Sequence, residues 1–258
     1  MEAKQNGSSN SSLKTIDILE ALMDSENKEM GITEVANKTG LNKSTLHRIM
    51  QALVERDYII RNEQTKKYRL GYKILQFNFA LLDNLEVKRV AHPYLVELGN
   101  KTAETIHLIQ RDGNNAVYID KIDPPHSVAL LSYVGKRILL HATAGGKIIL
   151  AHLSKEERQE IYDKVGLQNK TKRTISDRET LEKEIVEIQQ TGYSYNLAED
   201  REDVNAVAAP IYEVGGRLAA VVVVAGPSYR LTKEMIDTHT ELLLATAKTI
   251  SEKLGYKA

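Results

Sequence analysis

Residues Gly31 to Leu70 read GITEVANKTG LNKSTLHRIM QALVERDYII RNEQTKKYRL, and the placing of their apolar side chains decides the fold of this part of the chain. Ile32, Val35, Ala36, Leu41, Leu46, Ile49, Met50 and Leu53 recur at three- and four-residue intervals on either side of Gly40. That period lays one apolar seam along two successive short helices. Ala36 is small enough to sit where the two helices cross, and Gly40 supplies the backbone freedom that a sharp turn between them needs. The second helix is left with Asn42, Lys43, Ser44, Thr45, His47, Arg48 and Gln51 facing outward. These side chains can exchange hydrogen bonds with base edges or neutralise phosphates. The pattern predicts a helix-turn-helix that reads DNA.

The residues that follow add a wing. Tyr58 to Arg61 and Lys67 to Leu70 are short runs of aromatic and β-branched residues, separated by the polar stretch Asn62 to Lys66. A hairpin tipped by Lys66 and Lys67, with Arg69 on its return strand, suits the sugar-phosphate backbone or a minor groove. The competing reading is a helical hairpin packed on its own domain with a polar outer face. Local charge favours the reader: Met1 to Asn37 holds three basic and seven acidic residues, whereas Lys38 to Lys73 holds nine basic and three acidic. The formal net charge of +0 over 258 residues therefore conceals a positive patch where phosphates would be met.

Composition narrows the remaining classes. A hydrophobic content of 42% and a charged content of 27% are those of an ordinary globular protein, and the length allows two domains. The absence of cysteine excludes disulfides, thiolate chemistry and Cys-based metal sites. No apolar run approaches the roughly 18–20 residues that span a bilayer, and MEAKQNGSSNSS has no secretory apolar core, so a cytoplasmic location is expected.

In chain order the expected organisation is a disordered arm over 1–11 and a winged helix-turn-helix over 12–70. A linker and dimerisation helix over 71–86 and an effector domain over 87–258 follow. Ser12 is the expected cap of a first helix whose stripe is Leu13, Ile16, Leu19, Ala21, Leu22 and Met23. Gly71 to Leu85 contains Ile74, Leu75, Phe77, Ala80, Leu81 and Leu82, more apolar surface than a lone linker should carry. It either packs on its own wing domain or pairs with a second copy, and the second is preferred because two readers on two half-sites gain affinity.

Beyond Val87 helices and strands interleave. A helix to Lys101 contains Pro93. Strands are expected over 104–110, 116–122 and 127–134, helices over 144–153, 154–164 and 177–190, strands near 192–195, over 204–212 and over 218–225, and a closing helix over 232–254. The class is α+β, with a central antiparallel or mixed sheet flanked by helices.

Three further stretches carry a resemblance: Arg137 to Lys147 (RILLHATAGGK), Glu202 to Ile211 (EDVNAVAAPI), and Leu218 through Gly226-Pro227. In order and spacing the whole chain resembles an IclR-family bacterial transcription regulator. The resemblance implies a GAF-like effector domain that senses a small molecule and changes DNA affinity through a dimer or tetramer. It implies an effector pocket similar to a surface of Ile138, Ala144, Gly145, Asn196, Val204, Ala206, Val223 and Ala225. Ala206 stands where a cysteine is frequent in the family. Val223 and Ala225 stand where carboxylate-sensing members carry serines. That makes the far wall apolar and favours a ligand with an aliphatic, aromatic or sugar-derived body over a glyoxylate- or pyruvate-like one. The small run Ala144-Gly145-Gly146 has two readings: a helix N-terminus whose free N–H groups attract a carboxylate or phosphate, or tight helix-on-sheet packing.

The partners expected are a palindromic double-stranded DNA operator, a small-molecule effector of organic-acid or sugar-acid type, and further copies of the chain. No cofactor, metal or membrane is expected, and repression is the expected direction of control. Catalysis finds no support. Ala144-Gly145-Gly146-Lys147 resembles a phosphate loop only superficially, since His141 stands where the first glycine belongs and Ile148 where Ser or Thr belongs. The seven histidines (His47, His92, His107, His126, His141, His152 and His239) show no paired metal spacing. Asp120, Asp123, Glu199, Asp200, Glu202 and Asp203 read as largely solvated loop carboxylates without a partner base. An architectural DNA-binding protein would not need the roughly 170 residues of sensor that follow the linker.

Overall fold

The computed structural model describes residues 11–25, 29–125 and 130–257. All but the last residue of the expected N-terminal arm, together with His126, therefore lie outside the described residues. The chain divides into two compact units, one ending at Asn84 and the other beginning at Leu85.

In the first unit, α1 (Ser11–Met23), α2 (Ile32–Thr39) and α3 (Lys43–Glu55) enclose a core of Ile18, Leu22, Val35, Leu46, Ile49, Met50 and Leu53. The turn at Gly40 adopts φ +70°, the left-handed region that favours glycine, and its N–H returns to Ala36 O at 2.9 Å. The wing strands β1 (Ile59–Arg61) and β2 (Tyr68–Leu70) pair antiparallel, closed by Asn62, whose Oδ1 accepts from the N–H groups of Gln64 and Thr65. Met30 bridges to Tyr68 as a short third edge that the sequence pattern does not announce.

Two expectations fail in α1. Ser12 lies inside the helix rather than capping it, and Leu13, Ile16 and Met23 are exposed. Only Ile18, Ala21 and Leu22 are buried, because three short helices and a small wing can cover just one narrow stripe.

The helix α4 (Lys73–Asp83) buries none of its residues. Leu75, Phe77, Phe79 and Leu81 are 60%, 55%, 69% and 66% exposed. Its contacts with the wing unit are light: Phe77 lies 5.8 Å from the Tyr58 ring, and Lys73 sits over the same ring at 5.2 Å.

In the second unit a six-stranded sheet runs in the order β5-β4-β3-β8-β7-β6, with every neighbouring pair antiparallel. Its strands are β3 (Thr105–Asp112), β4 (Asn115–Ile122), β5 (Arg137–Ile138), β6 (Ser194–Leu197), β7 (Val204–Tyr212) and β8 (Leu218–Pro227). Strand β8 is central, and period-2 alternation sends its valines to both faces. Ala220, Val222 and Val224 meet α5 (Glu86–Thr102) and α9 (Lys233–Lys253). Val221, Val223 and Ala225 meet α6 (Ala144–Ala151), α7 (Lys155–Val165) and α8 (Arg178–Thr191). The caps fall at Ser154, which forms a capping box with Glu157, and at Asp177 and Thr232. Pro93 lies well inside α5.

The strand expected over 127–134 is absent where it is described: Leu130 to Val134 form a loop and turn, and only Arg137-Ile138 reach the sheet edge. The loop has its own anchor, since Lys121 Nζ donates to Leu130 O and Ser132 O at 3.2 and 3.0 Å. Four of the six carboxylates read as largely solvated have partners, and two of those, Asp120 and Glu199, are buried. Asp120 is buried against His92 at 2.6 Å, Asp123 pairs with Lys121, Asp203 pairs with Arg201, and Glu199 is buried against Lys147.

Lys147 is fully buried in α6, its Nζ 2.5 Å from Glu184 Oε1 on α8 and 2.9 and 3.0 Å from the two Glu199 oxygens. It is a structural cation, not a phosphate ligand. Removing one partner of a buried ion pair strands the other, so K147M should cost about 3–5 kcal/mol in urea denaturation at neutral pH. Burial pushes Glu199 above its ordinary value even with the ammonium present. Without it the stranded Glu199 carboxylate is held still further above its unfolded value. The deficit of K147M should then be full above that raised value, shrink as pH falls through it, and vanish below 4.5, where both states are protonated.

Candidate functional site

Two regions carry the chemistry, one in each unit. In the first, α3 buries Leu46, Ile49, Met50 and Leu53 and exposes Lys43, Ser44, His47, Arg48 and Gln51. Ser44, His47, Arg48 and Gln51 fall at i, i+3, i+4 and i+7 and so form one surface stripe. Thr45 is half-buried. Asn42 is the helix cap: its Oδ1 accepts from Thr45 N–H at 2.9 Å and from Ser44 Oγ at 2.8 Å. Its carbonyl oxygen is thus committed to starting the helix, and only its amide hydrogens remain for an outside partner.

On the wing, Lys66 is exposed at φ +57° and pairs with Glu63 at 3.1 Å, which holds that carboxyl below its usual range. Lys67 and Arg69 are half-buried, with Arg69 donating to Leu70 O and lying 5.3 Å over the Tyr72 ring. Arg61, which the sequence reading left out of the site, is an exposed wing cation over the Tyr68 ring.

In the second unit all eight residues expected at the effector pocket line one cleft of about 610 Å³, part of it open to solvent. Ile138 comes from β5, Ala144 and Gly145 from the start of α6, Asn196 from β6, Val204 and Ala206 from β7, and Val223 and Ala225 from β8. The packing reading of the glycine run is met at Gly145. A Cβ on Gly145 would fall 2.3 Å from Ile109 Cδ1 and 3.0 Å from Val223 Cγ2, so glycine is required for α6 to lie on the sheet. Thr143 caps the helix through Gly146 N–H, and the first-turn N–H groups of Ala144 and Gly145 are left at the cleft wall. Asn196 is chiefly a fastener: its Nδ2 donates to Ala142 O at 2.5 Å and its Oδ1 accepts from Glu199 N–H at 2.9 Å.

The sequence reading missed the polar half of the cleft: His107, Tyr118, Ser132, Lys136, Asp200 and Arg201. His107 Nε2 lies 2.8 Å from Ser132 Oγ, and its ring stacks on Tyr118 at 4.3 Å. Burial, reinforced by Lys121, pushes His107 down to about 3. Burial, reinforced by the Asp200 charge, pushes Tyr118 up to about 12. Both are therefore neutral hydrogen-bonding groups at physiological pH. Arg201 is bound to Asp203, which leaves Lys136 as the cation free to meet a ligand among the described lining residues. Alternation along β3 and β4 could have indicated His107 and Tyr118, since both fall on the cleft face; the loop residues had no such signal.

The family model described as the IclR helix-turn-helix domain matches residues 12–63, and the bacterial transcriptional regulator IclR C-terminal model matches residues 79–252. The HTH-type transcriptional regulator KdgR of Escherichia coli K12 is 32% identical over 253 residues, covering 98% of this chain and 95% of that protein. The Thermotoga maritima IclR crystal structure superposes with a TM-score of 0.81 at 32% identity, covering 96% of this chain and 99% of that one. An IclR homologue from Microbacterium hydrocarbonoxydans, solved with 4-hydroxybenzoate, shares the fold with a TM-score of 0.79 at 20% identity, covering 94% and 99% of the two chains. This chain belongs to the IclR family of bacterial transcriptional regulators.

The depressed His107 pKa sets a pH signature. The unfolded imidazole titrates near 6.5 and the folded one near 3, so the unfolded state binds the extra proton between those values. The stability that neutral His107 contributes should be complete above 6.5 and fade as pH falls towards 3. Ring-nitrogen chemical shifts should report an unprotonated His107 from about pH 8 down to about pH 5; protonation near 6.5 would contradict this burial.

Proposed function

We propose that this regulator binds a palindromic operator as a dimer, or a tetramer built from dimers, and that an organic anion in the cleft sets its operator affinity. In this reading residues 12–70 are the DNA-binding domain, 71–86 the dimerisation linker and 87–258 the effector domain. Ser44, Thr45, His47, Arg48 and Gln51 enter the major groove. Lys43, Lys66, Lys67, Arg69 and the added Arg61 hold phosphates, and Asn42 acts through the helix it caps. The observation that carries this is the exposed stripe of α3 beside a cationic wing, on a helix whose opposite face is wholly buried.

The unburied α4 supports dimerisation. Each large apolar side chain moved from water into an interface gains about 1.5–3 kcal/mol, and four such residues on one short helix give a second copy ample reason to cover them. Two readers held by such a pair would meet half-sites one helical turn apart, about 34–36 Å.

For the effector, the α6 N-terminus and Lys136 favour a carboxylate, Tyr118 and Ser132 supply neutral polar contacts, and Ala206, Val223 and Ala225 favour an apolar or carbon-rich body. The neighbour that holds 4-hydroxybenzoate, an aromatic carboxylate, is consistent with that class. Among the described residues no helix is long and apolar enough to cross a membrane; action on a DNA operator supports a cytoplasmic location. Repression is the proposed direction, tested by whether the operator overlaps the promoter and transcription rises on deletion.

Fluorescence anisotropy on the DNA upstream of its own gene provides the test. Specific binding should exceed random-sequence binding at least about a thousandfold, and R48A should cost about 1–3 kcal/mol on the operator alone. An equal loss on all sequences would reduce Arg48 to a phosphate contact. Independently, L75E/F79E should sediment as a smaller species than wild type and lose operator affinity. Unchanged sedimentation would remove α4 from the interface.

A further inference from the structure

Among the described residues that line the cleft, Lys136, Asp200 and Arg201 carry charge, and they are not equivalent. Arg201 is taken up by Asp203. Lys136 and Asp200 have no side-chain partner among the described residues, neither each other nor any third group. Both are half-buried, and their polar ends keep access to the cleft. The Tyr118 hydroxyl is in the same condition, unpartnered among the described residues and open. Burial, helped by the Asp200 charge, keeps that phenol protonated.

Asp200 is held in place from both sides. Ala198 adopts φ +63°, a left-handed conformation uncommon for a residue with a Cβ, and its N–H returns to Val204 O at 3.2 Å. Thr171 Oγ1 donates to Ala198 O at 2.7 Å, and Thr174 Oγ1 donates to Glu199 O at 2.6 Å. The flanking polar side chains, Glu199 and Arg201, are spent on Lys147 and Asp203, while the Asp200 carboxylate is left over. A fixed carboxylate in a partly desolvated cleft rewards a ligand that brings a donor and penalises one that does not.

On the reading of the cleft as a carboxylate site, we propose that Asp200 sets its specificity. The effector is a carboxylic acid that also carries a hydroxyl or ammonium donor. Its carboxylate meets Lys136, and its donor meets Asp200 and the Tyr118 hydroxyl. Lys136 leads into β5 at one edge of the sheet and Asp200 follows β6 at the other, so the two groups lie apart on the ligand. An acid without the donor would set apolar atoms or a second negative charge against Asp200, and either weakens binding.

Isothermal titration of the full chain with two matched series tests this role. One is hexanoate, 6-hydroxyhexanoate and 6-aminohexanoate; the other is benzoate, 4-hydroxybenzoate and 4-(aminomethyl)benzoate. In wild type a donor-bearing member should bind about tenfold or more tighter than the plain acid of its series. D200A should bring that ratio within about threefold while the plain acid keeps its affinity, which also shows an intact cleft. D200N keeps an acceptor oxygen without the charge and so separates the donors: a hydroxyl retains its preference and an ammonium loses it. K136A should weaken every acid. Plain acids that bind as tightly as their donor-bearing partners, or a preference that survives D200A, would overturn the role of Asp200 and leave the carboxylate site standing. No binding of any acid at about 10 mM, or affinities untouched by K136A, would overturn the carboxylate site and the role of Asp200 with it.

Discussion

The effector unit is organised around one buried ammonium. Lys147 lies less than one turn beyond Gly145 on α6 and joins Glu184 of α8 to Glu199 of the loop after β6. Glu199 in turn donates its N–H to Asn196, whose amide holds Ala142, and accepts Thr174 through its carbonyl. A charge taken out of water is tolerated only when its partners are fixed in place, so the same electrostatic demand that makes the triad costly makes it positionally exact. The start of α6, the Asn196 fastener and the Asp200–Arg201 segment, which together border the cleft, inherit their placement from it.

The cleft combines two kinds of wall. The sheet contributes apolar side chains whose orientation is set by alternation, and the α6 terminus contributes backbone dipoles brought close by Gly145. Opposite them stand His107 and Tyr118, kept uncharged by burial. Beside these neutral groups stand the charged Lys136, Asp200 and Arg201, so the cleft joins an apolar wall to a polar one.

The parts of this fold that were legible in the sequence are those governed by periodicity and local capping. The seam through Val35, Leu46, Ile49 and Met50, the capping box at Ser154, and the doubly buried β8 all follow from spacing alone. The eight effector-cleft residues came from family resemblance, not from spacing. What sequence could not supply were pairings across the chain. Asp120 with His92, Glu199 with Lys147 and the lysine-anchored loop at Leu130 depend on residues brought together by topology. For the same reason α1 was read with too wide an apolar stripe: periodicity marks which residues could be buried, while the size of the neighbouring elements decides which are.

The sheet also limits how copies of the chain can meet. It ends in β5 on one side, two residues long, and β6 on the other, four residues long. Edges this short present few unpaired backbone groups, too few to template another strand. Strand addition, the route to fibres, is thereby disfavoured at β5 and β6 themselves. Helical surfaces present side chains instead of open backbone, and complementarity there limits which partners fit.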